Sequence, residues 1–194
     1  KHTLLIGGML CASSFYAQEK TLFNVAYNDC GEKDKQPYLI LGENYTMPES
    51  FGNDMVMRTC NFGGKVIYAF DKMDILANYR MEISFLADEY REIELIADGN
   101  PICDKIQVPA GQIVRKVIDL PRHSFAYGQF VLVVGVAKGA NAVVSEIKIL
   151  STTNRQLQPV SEESKEALKS VQAYKVNTQI NVEDVLPEYV PVPV

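Results

Sequence analysis

Tryptophan is absent from the 194 residues, and histidine occurs only as His2 and His123. The first absence removes the strongest stacking platform for a sugar ring. The second leaves little for histidine-based catalysis, since a Ser-His-Asp or Cys-His arrangement would have to use His123. That residue sits in Leu120-Pro121-Arg122-His123-Ser124, a connection between two strand-like segments, and reads as a solvated loop histidine. No H-E-x-x-H, P-loop, G-x-G-x-x-G or G-x-S-x-G pattern occurs, so the chain carries no self-sufficient catalytic motif and is read as a non-enzyme. Lys and Arg nowhere form a run, and the formal net charge is −5, which gives no electrostatic footprint for nucleic acid or anionic lipid. No C-x-x-C pair is present, so zinc and thioredoxin-like readings have no support.

Long apolar runs are equally scarce. Lys1 and His2 are followed by apolar Leu4 to Ala12 and then by small and aromatic residues up to Ala17. This layout predicts a secretory signal peptide over residues 1–17, too short to span a bilayer, and no second apolar stretch follows it. The expected location is periplasmic, cell-surface or secreted, with no membrane span. Leu10 precedes Cys11 where a lipobox wants a small residue, which favours signal-peptidase cleavage over lipidation. Cys30, Cys60 and Cys103 then remain, compatible with one disulfide and a free thiol or with three buried thiols.

What the sequence has in quantity is short alternating segments separated by turn residues, the pattern of an antiparallel sandwich. In 79–87, Tyr79, Met81, Ile83 and Phe85 share one face while Arg80, Glu82 and Ser84 share the other. The segment 91–97 repeats the device with Ile93, Leu95 and Ala97 inward, and Asp98-Gly99-Asn100-Pro101 forces a turn. Residues 130–137 are almost wholly apolar and predict a central strand covered on both faces; 143–150 predicts one closing strand. Val66, Tyr68 and Phe70 mark another strand and 22–26 an early one, while 34–64, rich in Gly, Asn, Asp and Pro, reads as long loops with one or two short strands. The β-sandwich domain is therefore placed at 18–151. Residues 152–194 form an appendage: an amphipathic helix within 161–175 carrying Leu168, Val171 and Tyr174, then an extended tail with Pro187, Pro191 and Pro193.

Candidate ligand contacts follow from chemistry. Sugars are recognised by aromatic faces with Arg, Asn and acidic groups on the hydroxyls. Tyr45, Phe51, Asn53, Arg58 and Asn61 cluster in the long-loop region, with Tyr38 beside them, and Tyr90 and Tyr127 sit at other turns. Tyr45, Phe51, Asn53, Arg58, Asn61 and Tyr127 are the predicted ligand set. No cofactor is required, although a calcium ion is compatible with oxygens from Asp29, Asp34 and Glu146. A glycosidase needs two facing carboxylates, but Glu82, Glu92 and Glu94 fall on the faces that alternation assigns to solvent.

Four stretches carry a family resemblance: Val66-Ile-Tyr-Ala-Phe-Asp-Lys-Met-Asp, Tyr79-Arg-Met-Glu-Ile-Ser-Phe-Leu-Ala-Asp, Val114-Arg-Lys-Val-Ile-Asp-Leu-Pro and Asn141-Ala-Val-Val-Ser-Glu-Ile-Lys-Ile-Leu. Over about residues 35–151 the chain resembles a galactose-binding-domain-like β-jelly roll, of the kind found beside catalytic domains of bacterial glycoside hydrolases. The resemblance implies an all-β antiparallel jelly roll and a non-catalytic carbohydrate-binding module in an extracytoplasmic glycan-processing system. Its partners would be a polysaccharide or oligosaccharide and a neighbouring catalytic domain. Two other readings stay open: a structural domain that braces a catalytic or surface partner, and a small glycoside hydrolase with an unrecognised carboxylate pair.

Overall fold

A computed structural model describes residues 21–31, 33–46, 57–61 and 64–177, with backbone only for 33, 45–46, 57–61 and 171–177. The predicted signal peptide, Phe51, Asn53 and the Pro-Val tail lie outside the described residues. The chain runs through β1 (Phe23–Asp29), β2 (Leu39–Leu41), β3 (Glu43–Thr46), β4 (Met57–Asn61), β5 (Lys65–Asp71), β6 (Tyr79–Phe85) and β7 (Arg91–Ala97). It continues through β8 (Asn100–Pro101), β9 (Ile106–Val108), β10 (Val114–Asp119), β11 (Gln129–Lys138), β12 (Ala142–Val144), β13 (Glu146–Ser151) and β14 (Gln158–Pro159) to helix α1 (Glu162–Asn177).

The first sheet has the order β1-β13-β6-β10. The second has β14-β5-β11-β7-β8, with β2 also on β5 and β9 on β7, and a small third sheet has β12-β4-β3. Strand pairing is antiparallel in all three. The long strands alternate between the first two sheets along the chain: β5 in the second, β6 in the first, β7 in the second, β10 in the first, β11 in the second and β13 in the first. This is the connectivity of a jelly-roll sandwich.

The alternation read in 79–85 holds: Tyr79, Met81, Ile83 and Phe85 are buried, and Arg80 and Glu82 face outward. They meet Val66, Tyr68, Phe70, Leu132 and Val134 of the second sheet in one core cluster. Tyr38 closes it, stacked on Phe70 at 4.5 Å with its hydroxyl donating to Leu157 O. The predicted turn after β7 is a hairpin whose Asp98 and Gly99 both have positive φ (49° and 74°), the primed turn that suits twisted strands.

Two strand readings change. Residues 143–150 form two strands, because Ser145 crosses between sheets: its N–H donates to Ser84 O at 2.8 Å and its carbonyl accepts from Cys30 N at 3.0 Å. β12 therefore pairs with β4 while β13 lies between β1 and β6. β11 is central as expected, yet Val131 and Val133 on its outer face are only partly buried, packed against the cluster that includes Val160 and Leu168. The appendage helix thus helps to cover the second sheet.

A polar seam crosses the core. Gln36 donates to Asn44, the Tyr68 hydroxyl donates to Gln36 Oε1 at 3.3 Å, and Asn28 Nδ2 donates to Cys30 Sγ at 3.3 Å. Cys30 is fully buried and Cys103 partly exposed. Burial pushes the Cys30 thiol up to about 12, with the Tyr68 hydroxyl and the Asn28 amide opposing the shift. A raised folded-state value means that the unfolded chain gives up this proton first, so the thiol's contribution to stability is complete below about pH 9 and falls as pH rises towards 12. Alkaline melts of the protein and of Cys30→Ser should therefore diverge least in that range, where the protein's own advantage shrinks. Iodoacetamide labelling read by mass spectrometry should modify Cys103 in the native state and Cys30 only on unfolding; native labelling of Cys30 at the Cys103 rate would contradict this burial.

Candidate functional site

The end of the first sheet where β6 begins and β10 and β13 finish is excavated into a cleft of about 790 Å3. Four distant stretches of chain build it. Thr21 and Leu22 precede β1, Asn78, Tyr79 and Arg80 open β6, Asp119, Leu120, Arg122 and Phe125 follow along the β10–β11 connection, and Thr152 leaves β13.

Its apolar floor is fixed from below. Tyr79 and Phe125 are buried and meet edge to face, centroids 5.1 Å apart and planes at 78°, a geometry worth about 0.5–1.5 kcal/mol beyond area burial. The Tyr79 hydroxyl accepts the Asp74 N–H at 2.7 Å, and the Leu120 N–H donates to Tyr79 O at 2.9 Å. The polar wall is held by main chain. Arg122, in the 3-10 turn Arg122–Phe125, donates from Nη1 to Ile75 O at 2.9 Å and from Nη2 to Leu76 O at 3.3 Å and Asn78 Oδ1 at 3.0 Å. Asn78 and Thr152 are joined twice, Asn78 N to Thr152 Oγ1 and Thr152 N to Asn78 O, each at 3.1 Å.

Arg80 Nε donates to Asp119 Oδ1 at 2.8 Å. Both side chains are substantially exposed, so the pair adds only about 0–1 kcal/mol. It does set the orientation of one guanidinium and one carboxylate at the mouth. The lining therefore offers cationic donors in Arg80 and Arg122, one carboxylate acceptor in Asp119, the hydroxyls of Thr21 and Thr152, and an apolar floor. That inventory can hydrogen-bond a polyhydroxylated ligand while packing its apolar face. Among the described lining residues Asp119 is the single carboxylate, whereas glycoside hydrolysis by the usual route takes two.

The predicted ligand residues are divided by the fold. Tyr127 is 97% exposed, two residues beyond Phe125, in a turn anchored by Gly128 O, which accepts the Met73 N–H at 2.9 Å. Tyr45 and Arg58 are register partners on β3 and β4, and Asn61 pairs with Ala142. Asn61 precedes β5 and Tyr127 precedes β11, and these strands are antiparallel from Gln129↔Asp71 to Gly135↔Lys65, so the two residues belong to opposite ends of that pair. Phe51 and Asn53 lie outside the described residues. Tyr38 belongs to the core. Of the residues assigned to calcium, Asp29 and Glu146 are register partners at the other end of the first sheet and Asp34 lies in the 3-10 turn Lys33–Lys35. Among the described residues no group of three or more His, Cys, Asp or Glu converges.

Sequence reasoning missed Asn78, Arg80, Asp119 and Arg122. The available signal was their position at strand ends beside aromatic or Pro-containing turns. Arg122→Ala should release the Ile75 and Leu76 carbonyls, cost about 1 kcal/mol and speed amide exchange at Leu76, Ala77 and Asn78. Arg122→Lys should fail to restore it, lacking the forked donors. Exchange unchanged in both variants would show that the loop holds itself.

No protein-family model matches the chain, and no curated protein matches it. Among solved structures it is similar over 70% of its length to CBM35 from Cellvibrio japonicus Abf62, 99% of which is covered, at 11% identity and a TM-score of 0.47. A family 35 carbohydrate binding module from Clostridium thermocellum is matched over 66% of this chain and 95% of that one, at 10% identity and a TM-score of 0.38. The C-terminal CBM6 of LamC from Zobellia galactanivorans is matched over 65% and 91%, at 14% identity and a TM-score of 0.38.

Proposed function

We propose that this chain is a non-catalytic carbohydrate-binding module that works outside the cytoplasm in a glycan-processing system. The observation that carries the reading is the cleft: an apolar floor of Tyr79, Leu120 and Phe125 under polar groups locked by main-chain bonds, with the exposed ring of Tyr127 on the adjoining turn. Preorganised donors and acceptors around an apolar surface match a sugar ring, which has hydroxyls at its edge and C–H groups on its face. Support for the location comes from the signal-like composition of residues 1–17. No helix among the described residues is long and apolar enough to cross a membrane.

A second reading, an accessory domain bracing another protein, is favoured by Ile75 and Leu76, exposed on the loop that Arg122 holds. The two readings separate on one experiment. Affinity gels and calorimetry against a broad panel of polysaccharides, with and without calcium, should show saturable binding that Tyr127→Ala and Asp119→Ala each weaken about tenfold or more, about 1.4 kcal/mol. Silence across the panel would overturn the carbohydrate reading in favour of the bracing one.

A further inference from the structure

The ends of the two main sheets are not equally protected. The second sheet ends in strands of two or three residues, β14 and β2 on one side, β8 and β9 on the other. On the first sheet, β1 carries a register shift between Asn24 and Ala26, and its Asn24 and Val25 carbonyls are taken by the Gln156 amide at 3.0 Å and the Leu157 N–H at 2.9 Å. At the opposite end, β10 is six residues long, pairs with β6 without a shift and has no second partner among the described residues. Short strands, bulges and covering segments are the usual protections of an edge, and β10 has none of them.

The peptide groups that β10 leaves open follow from its register. The Leu120 N–H donates to Tyr79 O at 2.9 Å, and hydrogen-bonded pairs alternate along an antiparallel ladder, so Ile118, Lys116 and Val114 also direct their peptide groups to β6. Arg115, Val117 and Asp119 direct theirs away from it. These same residues belong to the outward rows Arg115↔Ser84↔Glu146↔Asp29, Val117↔Glu82↔Lys148↔Tyr27 and Asp119↔Arg80↔Leu150. All three are exposed, Val117 in the middle row at 63%. A cation, an apolar group and an anion therefore stand in that order along the open edge.

That order is complementary to its own reverse. An antiparallel copy of β10 centred on Val117 sets Val117 against Val117, Arg115 against Asp119 and Asp119 against Arg115, all as hydrogen-bonded pairs. Centring on Arg115 or on Asp119 would oppose like charges. On the other face Lys116 meets Ile118 of the second copy and, being exposed, keeps its ammonium in solvent. We infer that β10 is a contact between two copies of this chain: a two-fold pairing of β10 with β10, centred on Val117, that joins the two four-stranded sheets into one. Outward residues pair with outward residues, so both clefts open on the same side, and Arg115 of the second copy arrives beside Asp119 and Arg80 at each mouth. The contact is only about 20 Å long and has a Lys116 charge beside it in each copy, so the association is weak. It holds whether or not the cleft takes a sugar.

The test is sedimentation velocity of the full chain from about 10 μM to about 1 mM, the range suited to a small interface. A reversible monomer–dimer equilibrium is expected within it. R115D sets two acids against each other at both ends of the pairing, and D119R two bases. Each variant alone should weaken the dimer about tenfold or more, whereas an equimolar mixture of the two should restore it, because both charge pairs re-form across the interface. Val117→Pro, at an N–H that faces away from β6, should leave the strand in place and abolish the dimer. Circular dichroism checks each fold; Arg115 and Asp119 are surface positions, so the mixing experiment stands even where the proline variant disturbs β10. A monomer at about 1 mM, a dimer unchanged by both charge variants, a loss that mixing fails to rescue, or assembly beyond a dimer would each overturn the pairing.

Discussion

Burial of Tyr79, Met81, Ile83 and Phe85 against the second sheet fixes the rotation of β6 about its own axis, and everything that β6 displays outward follows from it. Because side chains alternate across a strand, a core that takes these four residues must turn Arg80, Glu82 and Ser84 to the other face. β6 is also the strand with β13 on one side and β10 on the other, so its register places Lys148 and Asp119 beside Glu82 and Arg80. A one-residue slip would bury charge and expose the aromatic row, which makes this register strongly specified.

The cleft inherits that rigidity at one end. Its side chains are tied largely to backbone atoms: Arg122 to two carbonyls, the Thr152 hydroxyl to the Asn78 N–H, and the Tyr79 hydroxyl to the Asp74 N–H. A site ordered before its ligand arrives spends less of the binding free energy on fixing rotamers. The same bonds join the loop after β5 to the connection before β11, and β5 and β11 are themselves hydrogen-bonded neighbours. The mouth is therefore braced by the second sheet as well as the first. The opposite rim has an analogous device in Arg91, nearly fully buried and bonded to Asp88, Glu89 and Asn141, which ties the loop before β7 to the turn after β11. Gly139 permits it, since a Cβ there would come within 2.3 Å of Arg91 Cδ.

Regular strands with one buried face were readable from the chain, because a period of two is a local property. β5, β6, β7 and β11 lie where alternation or an apolar run placed them, and the Asp98-Gly99 turn follows from residues that tolerate positive φ. The break at Ser145 was not readable. Val143, Ile147 and Ile149 are all buried, as one continuous strand would have them, and only the partners of Ser145's own peptide groups divert the chain from one sheet to another. The cleft was hidden for a related reason. Its walls come from residues 21–22, 78–80, 119–125 and 152, and a set assembled by sheet order leaves no spacing signature. Clustering along the sequence instead grouped Tyr45, Arg58 and Asn61, which the fold puts at the far end from Tyr127. Tyr127 was placed at a turn by the sequence, and there the fold leaves it 97% exposed, two residues beyond buried Phe125.

The unequal treatment of the two outer faces bears on what the sandwich is for. Covering the second sheet with Val160 and Leu168 removes apolar surface from water at the cost of ordering a helix, a trade that favours stability where the strands are apolar on both sides. The first sheet could be left open because its outward residues are mostly ionic and paired. Solubility alone would be served by charge throughout, yet the middle row keeps Tyr27 and Val117 among those charges. Both lie on edge strands, Tyr27 on β1 and Val117 on β10, where a charged residue would better discourage pairing with another sheet.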